Sequence, residues 1–146
     1  MIDRVFRWTH RVSYAECTLG NHVYYARYLD FLERARGEFF REIGHPLMGL
    51  QAAGVLFPVI ECRLRYKGAA RYDDVVQTGV WLSELGRVRL AFAYELRHED
   101  GRLLVEGETV HACTTLEERP RRLPEDLGRA LRPHLHAGTG TDSSSN

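Results

Sequence analysis

Two spacings of apolar residues divide the chain. Over residues 5–14, Phe6, Trp8, Val12 and Tyr14 alternate in part with polar neighbours, which predicts a first strand. The stretch from Ala15 to His22, carrying Gly20 and Asn21, ends it. Over residues 23–43 the spacing changes to three and four: Tyr25, Tyr28, Leu32, Ala35 and Phe39, with Leu29 and Ile43 beside them. That is the apolar stripe of a long helix. Arg27, Asp30, Arg34, Glu38 and Arg41 fill the opposite face, with Asp30/Arg34 and Arg34/Glu38 spaced for i,i+4 ion pairs. Asn21 is the expected N-cap. Gly44, followed by His45 and Pro46, is the expected stop. Residues 46–54 read as a short second helix or an irregular segment.

Period two returns afterwards. Ile60, Cys62, Leu64 and Tyr66 alternate with Glu61, Arg63, Arg65 and Lys67, giving one buried and one wet face. Residues 68–71 form a turn, and residues 73–83 another strand around Val75, Val76, Val80 and Trp81. A tight turn at Glu84, Leu85 and Gly86 leads into a strand over 88–96. Asp100 and Gly101 centre a hairpin turn, and residues 103–116 form the last long strand. A short helix is expected at 125–131. One strand, one long helix and four antiparallel strands must bury a helix stripe against a sheet face, which is an α+β class in two layers. The chain reads as a single domain over residues 1–133. The tail, 134–146, is low in complexity and expected to be disordered.

Composition narrows the partners. The 146 residues carry 20 basic and 20 acidic side chains, so the formal net charge is zero. That argues against a strongly basic nucleic-acid binder. Apolar residues make up 44%, ordinary for a globular chain. No apolar run approaches the roughly 20 residues of a membrane span. The first residues have no apolar signal-peptide core. Cys17, Cys62 and Cys113 are odd in number and lack C-x-x-C spacing, which suggests a reducing, cytoplasmic setting and no zinc site. Among the bases only Lys67 is not arginine. Codon bias explains most of that skew, although a guanidinium also forks onto phosphate.

The run from Val12 through Tyr14, Glu16, Cys17, Thr18, Gly20, His22, Val23, Tyr24, Tyr25, Tyr28, Glu33 and Ala35 to Arg36 resembles a known signature. It is similar to the helix-start motif of the 4-hydroxybenzoyl-CoA thioesterase-like acyl-CoA thioesterases, members of the hotdog-fold superfamily. Segments 64–74, 86–92 and 100–107 resemble the same family, so the likeness spans about residues 4–127. It implies a hotdog fold, a five-stranded antiparallel sheet wrapped around a long central helix. It also implies a homodimer or homotetramer with the thioester at the dimer interface, near the helix start. The implied substrate is an acyl-CoA; coenzyme A enters as part of it, and no separate cofactor is expected.

One departure bears on the chemistry. The family's Asp-x-Asp pair reads Glu16, Cys17, Thr18 here, so Thr18 stands at the usual catalytic carboxylate. In an extended segment, residues two apart share a side, offset by roughly 6.6 Å. Glu16, a methylene longer than Asp, is therefore the expected general base. Thr18 is expected to position water, and His22 is the second candidate base. By the resemblance, the oxyanion donor is the amide of Tyr25 or a neighbour. Tyr14, Asn21, Tyr24 and Tyr28 are the candidate substrate contacts. Arg87, Val88 and Arg89, with Arg65 and Lys67 as alternatives, are the candidate coenzyme A contacts. Arg119, Arg121 and Arg122 form a further basic cluster. Cys17 lacks a local base and orienter, so it is not the expected nucleophile. The competing readings are a hotdog protein that binds an acyl-CoA or acyl-carrier thioester without hydrolysing it, and an interaction module.

Overall fold

The structure is a computed structural model and describes residues 4–136. Five strands form one antiparallel sheet: β1 (Phe6–Arg11), β4 (Val59–Tyr66), β5 (Val75–Leu85), β6 (Arg89–His98) and β7 (Leu103–Ala112). Their order across the sheet is β1-β5-β6-β7-β4, which leaves β1 and β4 at the edges. Two short strands, β2 (Cys17–Thr18) and β3 (His22–Val23), pair with each other apart from the main sheet. Among the described residues there are three α-helices, α1 (Arg27–Glu42), α2 (Leu47–Ala52) and α3 (Glu125–Leu131), and two single-turn 3-10 helices at Tyr14–Glu16 and Arg132–His134. The α+β class and the five-stranded antiparallel sheet are as expected.

The helix is shorter than the 23–43 expected. It spans 16 residues from Arg27, because Val23 is already committed to β3 and its N–H bonds to the Ala70 carbonyl at 2.9 Å. Ala26, not Asn21, precedes the first helical residue. The C-terminal stop is as expected. Gly44 turns left-handed at φ 87°, the His45 N–H reaches the Phe40 carbonyl, and the Gly44 N–H reaches that of Arg41. This is a Schellman closure, and glycine adopts the required φ without a Cβ penalty.

Tyr28, Phe31, Leu32, Ala35, Phe39 and Phe40 of α1 are buried. One cluster joins Phe39 and Phe40 to Phe92, Tyr94, Leu82 and Leu90, closed at one end by Leu127 and Leu131. A second joins Tyr28 and Phe31 to Val12, Val76, Leu96 and Leu104. Each such large side chain contributes roughly 1.5–3 kcal/mol over its exposed state.

Two boundaries differ from expectation. β7 ends at Ala112 rather than at 116, because Thr114 leaves the ladder to bridge Leu56 and Pro120. Residues 134–136 belong to the packed body rather than to a tail. β1 pairs no further along β5 than Val80, so Leu82 is uncovered by it; Leu135 bridges Leu82 and the His136 N–H bonds its carbonyl at 2.9 Å. The rest of the expected tail, 137–146, lies outside the described residues. No helix among the described residues is long and apolar enough to cross a membrane.

Candidate active site

Where β1 ends, the chain winds through residues 13–26 before α1. Tyr14–Glu16 is a single tight turn, and the Glu16 carboxylate folds back to accept the Ser13 N–H at 2.9 Å. β2 and β3 then make a miniature hairpin with Thr18 opposite His22. Its turn is left-handed at Gly20 (φ 81°) and Asn21 (φ 60°), a shape that asparagine tolerates better than most residues. The segment over residues 70–72 clasps this unit. Ala70 donates its N–H to the Tyr28 hydroxyl at 2.9 Å, and Tyr72 donates its N–H to the Asn21 side-chain oxygen at 3.2 Å. An open groove of about 690 Å³ lies here, lined by Tyr14, Cys17, Thr18, Leu19, Gly20, Asn21 and Tyr72. Tyr14 and Tyr72 meet edge to face across 5.7 Å.

Glu16 directly precedes the groove-lining Cys17, with its side chain only 16% exposed. It does not continue an extended segment with Thr18, as expected, because it belongs to the turn. Its second oxygen lies 3.5 Å from the Arg34 guanidinium, which itself sits 4.9 Å over the Trp8 ring. The expected Asp30/Arg34 and Arg34/Glu38 pairs are replaced by Arg27–Asp30, Arg41–Glu38 and this longer reach of Arg34. His10 lies between Trp8 and Phe31, and neither ring nitrogen has a hydrogen-bond partner among the described residues. Burial, and then Arg34, hold its pKa below the ordinary value against the opposing pull of Glu16.

Thr18 and His22 are exposed on the small hairpin. Burial and the neighbouring Glu16 push the Cys17 thiol up, which disfavours a thiolate. Tyr14, Tyr24 and Tyr25 are also exposed. Tyr28 is not: it is 2% exposed, packed on Phe31, and its hydroxyl is occupied by Ala70. Its hydroxyl and ring are therefore turned into the protein beneath the exposed tyrosines. The N–H groups of Tyr25 and Ala26 find no acceptor among the described residues. They stand at the positive end of α1, where unpaired amides attract negative charge.

The expected coenzyme A contacts divide. Arg65 and Lys67 both lie 3.7 Å from one Glu106 oxygen. Their neighbour Tyr66 turns instead to α1, where it meets Tyr25 and Tyr28, so alternation puts Arg65 and Lys67 on the sheet face away from the groove. The structure does not bring them to the site. Arg89 pairs with Glu84 at 3.1 Å. Arg87 and Val88 are exposed at the β5–β6 turn. The basic segment folds beside them: Leu123 donates to the Arg87 carbonyl, while the Val88 carbonyl and the Arg121 N–H both bond to the Cys113 backbone. Among the described residues, no carboxylate pairs with Arg87, Arg119, Arg121 or Arg122.

Sequence reasoning missed Trp8 and His10 as a pair, Arg34, Tyr66 and Tyr72. Strict alternation along β1 would have found His10, since Phe6, Trp8 and His10 share the inner face. The long-range contacts of Arg34, Tyr66 and Tyr72 have no local signal.

Known proteins resemble this chain over most of its length. Residues 12–131 match the family model described as thioesterase-like superfamily. The acyl-CoA thioester hydrolase YbgC of Escherichia coli O6:H1 is 32% identical over 128 residues, 87% of this chain and 96% of that protein. A probable thioesterase from Bartonella henselae superposes with a TM-score of 0.77 at 30% identity, covering 82% of this chain and 99% of that one. At 19% identity, a 1,4-dihydroxy-2-naphthoyl-CoA thioesterase from Synechocystis shares the fold, with a TM-score of 0.82 over 88% of this chain and 96% of its own. The chain belongs to the thioesterase-like superfamily.

Proposed function

We propose that this hotdog chain hydrolyses an acyl-CoA thioester to the free acid and coenzyme A, in the groove beside the start of α1. The observation that carries this is the 32% identity to an acyl-CoA thioester hydrolase across 128 residues. Local geometry is consistent with it: Glu16 directly precedes the groove-lining Cys17 and Thr18, and the Tyr25 and Ala26 amides at the start of α1 have no acceptor among the described residues.

In the proposed mechanism, the Ser13 N–H aims the Glu16 carboxylate through one oxygen. The other oxygen takes a proton from a water molecule, whose oxygen attacks the thioester carbonyl. The Thr18 hydroxyl positions that water. The Tyr25 and Ala26 N–H groups and the α1 dipole hold the resulting oxyanion. Collapse of the tetrahedral intermediate breaks the C–S bond, and protonated Glu16 returns its proton to the leaving thiolate. Tyr14, Tyr24 and Tyr72 face the acyl group, and Asn21 shapes the groove. Coenzyme A arrives within the substrate, and this chemistry requires no other cofactor. Its phosphates meet Arg87, Arg121 and Arg122, which lack carboxylate partners among the described residues, rather than the paired Arg89.

We also infer that two copies join along β4 and close the groove between them. Supporting this, β4 is an edge strand whose apolar residues Val59, Ile60 and Tyr66 are about half exposed, with exposed Tyr25 against Tyr66. An open apolar edge is a template for a further strand.

A panel of short, medium, long and aryl acyl-CoA esters, with thiol release monitored, tests the hydrolase. Glu16→Gln is expected to lower kcat by roughly 10²–10⁴-fold, the usual worth of a positioned base, with KM within a few-fold. Activity kept in Glu16→Gln and lost in His22→Ala would transfer the base to His22. The second reading, a thioester binder without turnover, is favoured by Thr18 at the family's carboxylate position. It predicts a thermal shift with acyl-CoA and no thiol release from any ester.

A further inference from the structure

We infer that Tyr66 is a positioning residue that orients and polarises the Tyr25–Ala26 peptide unit at the start of α1. Tyr66 is the last residue of β4, on the face turned to the helix. Its ring meets Tyr25 nearly edge-on at 6.3 Å and Tyr28 at 5.7 Å. Tyr28 is itself fixed by the Ala70 N–H, so this aromatic seat is held from both sides. From it the Tyr66 hydroxyl donates to the Tyr25 carbonyl at 3.2 Å. The same carbonyl accepts the Tyr28 N–H at 3.3 Å. Burial pushes the Tyr66 phenol up from its ordinary value, so the hydroxyl remains a donor.

The consequence follows from peptide geometry. The Tyr25 carbonyl and the Ala26 N–H belong to one planar unit with partial double-bond character. Pinning its oxygen fixes the direction of its N–H, which points the opposite way and has no acceptor among the described residues. Drawing charge onto the oxygen also makes that N–H a stronger donor; such cooperative strengthening is about 10–30% per bond. The role in turnover rests on the proposed hydrolysis, in which the Ala26 N–H holds the oxyanion. The bond reaches the site from the sheet edge, so it links β4 to the chemistry through a single hydroxyl.

Tyr66→Phe removes that hydroxyl and keeps the ring. Two readouts apply to the full chain. In amide proton–nitrogen spectra, the Ala26 resonance is expected to move upfield in Tyr66→Phe by more than the amides of the sheet interior. With an acyl-CoA ester, kcat is expected to fall roughly 3–10-fold at unchanged KM, a fraction of the roughly 10²–10³-fold lost with a whole oxyanion donor. An unmoved Ala26 resonance overturns the inference whatever the activity. A moved resonance with unchanged kcat in an active wild type overturns the role in turnover. A wild type that releases no thiol from any ester fails the hydrolase reading and the role in turnover together. The spectrum then still decides whether Tyr66 holds the peptide.

Discussion

Glycine at position 107 shows how one side chain's absence can set the spacing of a sheet. Gly107 of β7 stands opposite Leu64 of β4, and a Cβ there would collide with the Leu64 methyl and lie 2.8 Å from the Arg63 carbonyl. Leu64 cannot yield freely, because it also packs against both core clusters. The backbone oxygen can yield only if β4 shifts. Gly107→Ala is therefore expected to destabilise the fold by about 1–3 kcal/mol, the usual cost of overpacking. Urea denaturation measures it, and a variant as stable as wild type would show that β4 moves without cost. The same position bears on the site, since β4 carries Tyr66 to the helix start. A displaced β4 should lengthen the Tyr66–Tyr25 hydrogen bond, so Gly107→Ala should also lower kcat in the proposed hydrolase.

At the scale of elements, one buried chain of hydrogen bonds ties α1 to the sheet. Arg36 of α1 donates to the Tyr94 hydroxyl of β6 at 2.9 Å; the Tyr94 and Thr109 hydroxyls, the latter on β7, are hydrogen-bonded at 2.7 Å; Thr109 meets His111 Nε2 at 2.8 Å. His111 Nδ1 meets the Phe57 carbonyl at 2.9 Å. A carbonyl only accepts, so Nδ1 carries the proton and Nε2 accepts from Thr109. The direction of every bond then follows: Arg36 to Tyr94, Tyr94 to Thr109, Thr109 to His111. Protonating Nε2 would set two donors against each other and reverse the chain as far as Arg36. Burial accordingly holds His111 at about 4, below its ordinary 6.5. Between those values the unfolded chain binds a proton that the folded one refuses, so stability falls as pH drops from about 6.5 to 4. The shift corresponds to about 3 kcal/mol. Denaturation at pH 7, 5.5 and 4.5 should show this loss, and His111→Asn should start lower and fall less steeply. Parallel slopes for wild type and variant would assign the acid sensitivity elsewhere.

The elements also show what a one-dimensional pattern carries. Alternation and three-to-four spacing located every strand of the main sheet and the stop of α1, because each reflects a face buried along a continuous element. The start of α1 was not legible. Val23 satisfies the helical stripe equally well as a residue of β3, and the Ala70 carbonyl that decides the matter is 47 positions away. Glu16 was legible as the candidate carboxylate but its turn was not, since Ser13 and Glu16 close a local ring instead of extending a strand. The turn placed Oε1 on the Ser13 amide and left Arg34, assigned by spacing to the solvent face, as the partner of Oε2. Arg65 and Lys67 fell on the polar face of β4, yet only the turn of Tyr66 towards Tyr25 and Tyr28 shows that this face lies away from the groove, where both pair with Glu106.

At the scale of the whole molecule, the proposed site and the proposed assembly depend on one strand. β4 is paired on one side by β7 and open on the other. Its residues include Ile60, which stands at the break in register between Val59 and Glu61 and is 55% exposed, and Tyr66, which reaches the helix start. A second copy laid along β4 would bury Ile60 and bring its own α1 beside Leu29 and Tyr25. A lysine at position 60 would place a charge in that contact, and an unpaired buried charge is costly enough to separate the copies. Ile60 is outside both core clusters, so the fold itself should survive the change. Sedimentation is therefore expected to give wild type at least twice the 16.8 kDa of one chain. Ile60→Lys should sediment as a single chain with an unaltered circular dichroism spectrum. If the groove is closed by the partner, thiol release should fall with the dimer fraction and recover as protein concentration rises. A monomeric wild type, or an Ile60→Lys variant that stays dimeric, would rule out pairing along β4. A monomeric Ile60→Lys with full activity would place the whole of the working site within one chain.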